Sequence, residues 1–225
     1  GGSDAFFILD DAYLDHAGIH AVASRYLKAG QSCIAAKRFI VVDAIADEFL
    51  EKFKAAVEKL QPGDPLDEST TLAPMARIDL RGELHEQVKT SCKQGAEIIA
   101  GGNVVDGPGA FYQATILDQV KPGVLAYDEE LFGPVASVIR AKDEAGVLAI
   151  ANGSRFGLGG SVWTQDQKRG ERVARRVQSG AVFVNGMVKS DPRLPFGGIK
   201  ASGYGRELSH HGMREFQNAK TIWIK

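Results

Sequence analysis

Arg38-Phe39-Ile40-Val41-Val42 reads as one continuous strand, and Asp43 directly after it opens a helix on which Phe49, Phe53, Ala56, Val57 and Leu60 recur at spacings of three and four. A run without apolar/polar alternation marks a strand covered on both faces, and the three-to-four spacing marks one face of a helix. Pro62-Gly63-Asp64-Pro65 stops that helix. Upstream, Asp15 is placed to cap a helix running to Tyr26 or Lys28, with Ile19, Val22, Ala23 and Tyr26 on one face and Gly30 at its end. Downstream, an amphipathic helix covers Arg77 to Gln94 and Gly95 closes it. Strands are expected at Glu97–Ala100, Ala114–Leu117, Val135–Arg140, Gly160–Thr164 and Ala181–Asn185, with helices at Asp143–Asn152 and Gln165–Gln178. Residues 101–115 and Leu194 to Arg206 read as loops, and Thr221-Ile222-Trp223-Ile224 as a last apolar strand. Strands separated by helices of about ten residues imply an α/β fold with a mainly parallel twisted sheet covered by helices on both faces.

Composition narrows the function. The 27 Lys and Arg residues balance 28 Asp and Glu, which argues against a nucleic-acid or membrane-surface partner, since both need a basic excess. No apolar stretch reaches the roughly 18 residues that span a bilayer, and the first residues lack a signal-peptide pattern. Cys33 and Cys92 make neither a disulfide framework nor a metal cluster. A reducing, cytoplasmic setting is therefore expected. Of the histidines, only His16 and His20 have helical ligand spacing, and no acidic or Cys partner stands beside them, so no metal site is expected.

The chemistry centres on Gly30-Gln31-Ser32-Cys33. A thiol attacks as thiolate, and its free pKa of about 8.5 leaves little ionised at neutral pH. Backbone N–H groups of a Gly-rich turn converging on the sulfur would lower that pKa and offer donors to an oxyanion. A small buried cysteine ahead of a core strand is the alternative from these four residues alone. Four other segments stand out. Glu130-Leu131-Phe132-Gly133-Pro134 sets a carboxylate and an aromatic ring two residues apart, suited to sugar hydroxyls and a flat heterocycle. Gly157 to Thr164 is a Gly-rich entry into a strand, and Ser179 to Gly186 a strand ending in Asn-Gly. Pro195-Phe196-Gly197-Gly198 through Glu207 is rich in glycines that let backbone approach a ligand or another chain.

In this order the five segments resemble the C-terminal, catalytic part of the aldehyde dehydrogenase superfamily, over nearly the whole chain. The resemblance implies that Cys33 is the nucleophile, Glu130 binds the nicotinamide-side ribose, Phe132 flanks the nicotinamide, and Phe196 lines the substrate tunnel. It implies NAD or NADP as cofactor, bound mainly by an N-terminal domain that these residues do not include. Gly1-Gly2-Ser3-Asp4-Ala5-Phe6 looks like the tail of the family's Glu-Leu-Gly-Gly motif, which would put the general base two positions before Gly1; the oxyanion Asn of the family also lies outside. On this reading residues 1–210 form the catalytic domain. Residues 211–225 form a tail ending in an oligomerisation strand, and the intact protein is a homo-dimer or homo-tetramer.

Within the superfamily the stretch Gly198 to His210, together with Ser190, is most like succinate semialdehyde dehydrogenases. There a serine at the Ser190 position contacts the substrate carboxylate. An Arg that part of that group carries six residues before the nucleophile is Leu27 here, leaving Arg25, Lys28, Lys189 or Arg193 as candidate cations, each otherwise a surface charge. Ala35 stands where the redox-switch form has a second Cys. A dehydrogenase of another small aldehyde, a thiol hydrolase or acyltransferase using Cys33, and a non-catalytic dehydrogenase-like module are the alternatives.

Overall fold

The computed structural model describes residues 1–225. Its elements run β1 (Asp4–Ile8), α1 (Leu14–Tyr26), β2 (Ala36–Val42), α2 (Asp43–Val57), α3 (Ile78–Lys93), β3 (Glu97–Ala100), β4 (Thr115–Asp118), α4 (Leu125–Asp128), β5 (Val135–Ala141), α5 (Glu144–Asn152), β6 (Phe156–Gly157), β7 (Gly159–Trp163), α6 (Gln167–Ala174), β8 (Ala181–Val184), β9 (Ile199–Lys200) and α7 (Ser209–Glu215). Seven strands form one sheet in the order β3-β4-β5-β2-β1-β7-β8. Every pairing in it is parallel except β3 with β4. The expected mainly parallel α/β sheet is the observed one.

The middle of the sheet is apolar on both faces, as the uninterrupted run in β2 requires. Phe6 of β1 stacks on Trp163 of β7, with centroids 4.9 Å apart, and sits 5.2 Å from Phe39 of β2. Phe39 in turn lies 5.0 Å from Phe53 of α2, which stacks on Phe49. These rings join three strands to α2 on one face. Arg38, pointing the other way from Phe39, donates to the carbonyls of Ile150 and Ala151 at the end of α5. Helices therefore cover both faces, and a cation meets the negative end of α5.

Three sequence expectations need correction. On α1 the buried residues are Leu14, Ala17, Gly18, Ala21, Ser24, Arg25 and Tyr26. Of the expected face Tyr26 is buried and Val22 half-buried, while Ala23 is exposed and Ile19 is 66% exposed. Small residues make up most of that buried side, and Ile19 lies on the face turned to solvent. Asp15 does not cap α1; it sits in the first turn, 2.5 Å from Lys52. The final segment is not a strand. Residues 216–225 lie outside any helix or strand, and Trp223 is 86% exposed, because a strand exists only through hydrogen bonds to a neighbour and this chain offers it none. Conversely, β1 and α7 escaped the sequence reading. No helix is long and apolar enough to cross a membrane.

Phe39 is wholly buried between rings from two elements, Phe6 of β1 and Phe53 of α2. Phe39→Ala is expected to lower unfolding stability by about 3–5 kcal/mol in urea titrations of the chain. A loss below about 1 kcal/mol would mean that the aromatic row is not the core's centre.

Candidate active site

Cys33, Glu130 and Phe132 stand at the amino ends of parallel strands, with Asp4 and the Gly157–Gly159 segment at neighbouring strand ends, whereas Ser190 and Phe196 lie in the loop after β8. Cys33 precedes β2, Glu130 and Phe132 precede β5, Asp4 opens β1, and Gly157-Leu158-Gly159 leads into β7. Open α/β sheets more often bind ligands outside the carboxyl ends of their strands. Two buried cations hold the entry loops together at the opposite end.

The first is Arg25. After α1 the chain makes a tight turn in which Lys28, Ala29 and Gly30 all have positive φ, at 53°, 53° and 71°. A Cβ on Gly30 would stand 2.2 Å from the Gly133 carbonyl oxygen, so only glycine fits there. The fully buried Arg25 guanidinium donates to the carbonyls of Gly30 at 2.7 Å and Ala36 at 3.0 Å, and to those of Leu131 and Gly133. Burial lowers its pKa to about 10, still far above neutrality. Arg25 is therefore spent on the backbone and cannot read a substrate carboxylate.

The second is Lys37, only 2% exposed, whose Nζ donates to the carbonyls of Ser32 and Cys33 at 2.9 Å each. The same Nζ forms an ion pair with Glu130 Oε1 at 3.0 Å, outside hydrogen-bond angles, and stands 5.8 Å from the centroid of the Phe132 ring. Burial and the Arg25 charge lower the Lys37 pKa, while Glu130 and Asp4 oppose the shift. Cys33, Glu130 and Phe132 are thus gathered round one ammonium that the sequence reading did not name. A lysine at the head of a buried strand was the available signal, since such a charge needs partners.

Asp4 was also missed. It is buried, its Oδ1 accepts from the Gly159 N–H at 2.9 Å, and its Oδ2 has no partner. Burial raises its pKa to about 6, against the pull of Lys37 and the Gly159 bond.

Cys33 is exposed, but no backbone N–H donates to its sulfur, so the expected convergence of donors on Sγ is not found. The other thiol, Cys92, is half-buried on α3, and burial pushes its pKa up. Ser190 is exposed, two residues beyond Val188. Val188 and Met187 line a cavity of about 50 Å³ with Leu27, Ser32 and Ile34, neighbours of Cys33. Phe196 faces a different, open cleft of about 390 Å³, lined also by Leu158, Arg206 and Phe216. Of the candidate cations, Arg193 is paired with Asp191, whose carboxyl it holds down to about 2. Lys28 and Lys189 are exposed and outside any ion pair. No group of three or more His, Cys, Asp or Glu residues is placed to hold a metal ion.

Residues 1–222 match the aldehyde dehydrogenase family. The chain belongs to that family. It is 49% identical over 223 residues to a succinate semialdehyde dehydrogenase (NAD(P)+) of Escherichia coli strain K12, covering 99% of this chain and 48% of that protein. It is 48% identical over 224 residues to succinate-semialdehyde dehydrogenase (NADP+) 1 of Mycobacterium tuberculosis strain H37Rv, covering 100% of this chain and 49% of that protein. Among solved structures, succinic semialdehyde dehydrogenase of Streptococcus pyogenes in complex with NADP+ superposes with a TM-score of 0.97 at 40% identity, over 100% of this chain and 49% of that one. This aldehyde dehydrogenase chain spans about half the length of the curated relatives it matches.

For Asp4 the pH dependence has a definite sign. Its pKa is about 6 when folded against 3.8 as the reference value. The folded chain therefore holds the proton more tightly, and this carboxyl's contribution to stability falls as pH rises from about 4 to about 6, then levels off. Asp4→Asn keeps the Oδ1 acceptor for Gly159. It is expected to stabilise the chain by on the order of 2–3 kcal/mol at pH 7 and hardly at all at pH 4. Urea midpoints at both pH values check this; equal gains at the two would contradict it.

Proposed function

We propose that this chain is the catalytic half of an NAD(P)-dependent aldehyde dehydrogenase, with succinate semialdehyde as substrate and Cys33 as nucleophile. The observation that carries the reading is the gathering of Cys33, Glu130 and Phe132 round Lys37 within an aldehyde dehydrogenase fold. The substrate assignment rests on the names of the relatives at 48–49% identity.

The residues present fit a nicotinamide nucleotide. Lys37 holds Glu130 through Oε1 while the Glu130 side chain stays 20% exposed, and a carboxylate so held is an acceptor suited to ribose hydroxyls. A Cβ on Gly1 would stand 2.6 Å from Glu130 Oε2, so backbone without a side chain borders the carboxylate. Phe132, 38% exposed, offers a flat apolar face beside it. When bound, the cofactor supplies the hydride acceptor. Cys33, exposed on its turn, adds as thiolate to the aldehyde carbon to form a thiohemiacetal. Loss of hydride from that carbon leaves a thioester on Cys33, and water cleaves it to the acid. Ser190 contributes a hydroxyl to the substrate carboxylate; Phe196, which faces the separate open cleft, is assigned to the tunnel wall by the family resemblance alone. The proposed assembly is a homo-oligomer in which the exposed Ile222-Trp223-Ile224 segment finds its partner strand in another subunit.

A thiol hydrolase needs a histidine beside Cys33. His16 and His20 instead pack on Trp163, at the carboxyl end of β7, His85 on Tyr112, and His210 and His211 on each other in α7, and none of the five hydrogen-bonds to Cys33.

Reduced nicotinamide is expected to form from succinate semialdehyde when the chain is joined to a cofactor-binding half of a family member. Cys33→Ala is expected to lower that rate by at least about 10³-fold, whereas the 225-residue chain alone should give none. Turnover that survives Cys33→Ala, or robust turnover by the chain alone, would overturn this reading.

A further inference from the structure

Lys37 occupies a special place in the sheet. The β1–β2 register pairs Asp4 with Ala36 and Ala5 with Arg38, so Lys37 is the residue that the ladder skips. A bulge re-aims the side chain of the extra residue and recurs beside active sites. Here it turns an ammonium inward rather than towards solvent. Burying that charge is costly unless its donors are used, and all three of its partners are functional in position: the carbonyls of Ser32 and Cys33, and the carboxylate of Glu130. Two of these belong to the loop entering β2 and one to the loop entering β5, and no hydrogen bond joins Cys33 to Glu130 directly.

We propose that Lys37 is a positioning residue that couples the Cys33 turn to the Glu130 carboxylate, so that the thiol and the cofactor-binding group are set by one cation. The proposal rests on the dehydrogenase reading for its kinetic consequence, not for its structural one. Lys37 touches neither aldehyde nor thiol sulfur; it acts through the peptide of Cys33 and through Glu130. A methylene chain in its place leaves the Cys33 carbonyl without this donor, the Ser32 carbonyl with only the Ala35 N–H, and the carboxylate without its counter-charge. Both loops then loosen together.

Two measurements test this. In the chain joined to a cofactor-binding half, Lys37→Met is expected to raise the KM for NAD(P) about tenfold, while the KM for the aldehyde moves less than about threefold. In the Glu130→Gln background the same substitution should add less than about threefold, because the group it acts through is already altered. Effects that multiply, or an unchanged cofactor KM, would overturn the coupling. The second measurement needs no turnover: amide hydrogen exchange on the 225-residue chain. Lys37→Met should speed exchange in both 30–35 and 129–133 by at least about tenfold, with β7 unaffected. Faster exchange in 30–35 alone would overturn the proposal, since Lys37 would then serve only its own turn. If Lys37→Met does not fold, Lys37→Gln, which keeps a donor but loses the charge, is expected to loosen the same two segments, and loosening of one alone would again overturn it. Should the wild type form no reduced nicotinamide while both segments loosen, the dehydrogenase reading fails and the coupling stands.

Discussion

One buried guanidinium organises the end of the sheet at which Cys33, Glu130 and Phe132 stand. Arg25 projects from the last turn of α1 into the protein and donates to main-chain carbonyls of the 28–30 turn, of the first residue of β2 and of the loop before β5. An ordinary buried ion pair would leave those carbonyls to find donors elsewhere. A guanidinium has five donors in a fixed fork, so a single side chain can satisfy several segments at once. The three successive positive-φ residues, two of them not glycine, are held in a conformation they would not choose alone. Lys37 completes the arrangement one layer closer to the thiol, and Asp4 adds a carboxyl at the start of β1.

Much of the fold was legible because it follows from periodicity. The unbroken run in β2, the three-to-four spacing in α2 and the strand–helix alternation beyond it demand a parallel sheet with two covered faces. The misses have physical causes. β1 is short and follows directly on Gly1-Gly2-Ser3, so it shows no pattern until β2 and β7 pair with it on either side. The exposed side of α1 carries an isoleucine while small residues fill much of the buried side, so apolarity alone did not mark the buried face. The C-terminal segment has the composition of a strand, but composition cannot supply the neighbour that makes it one.

The site was legible in its motifs and not in its wiring. Cys33, Glu130 and Phe132 stand out by residue type and by the glycines around them. Of the two cations that hold them together, Arg25 looked like a surface charge, and Lys37 fell just outside the strand read from Arg38. Pairing of this kind is a tertiary fact: Glu130 is far from Lys37 in the chain, and a bulge, invisible in a linear pattern, aims one at the other. The same geometry removes Arg25 from the candidates for a substrate carboxylate and places the Ser190 loop near Cys33 through Met187 and Val188.

The central claim is that the fork of Arg25, and not merely its charge, sets the Cys33 turn. Arg25→Lys tests it directly, since lysine keeps the charge but its compact ammonium cannot reach carbonyls from three segments. Urea unfolding of the wild-type and Arg25→Lys chains, compared at equal m-values, is the measurement. A loss of at least about 2–3 kcal/mol is predicted, as buried carbonyls lose their donors. Stability within about 0.5 kcal/mol of the wild type would show that charge alone suffices and would contradict the account.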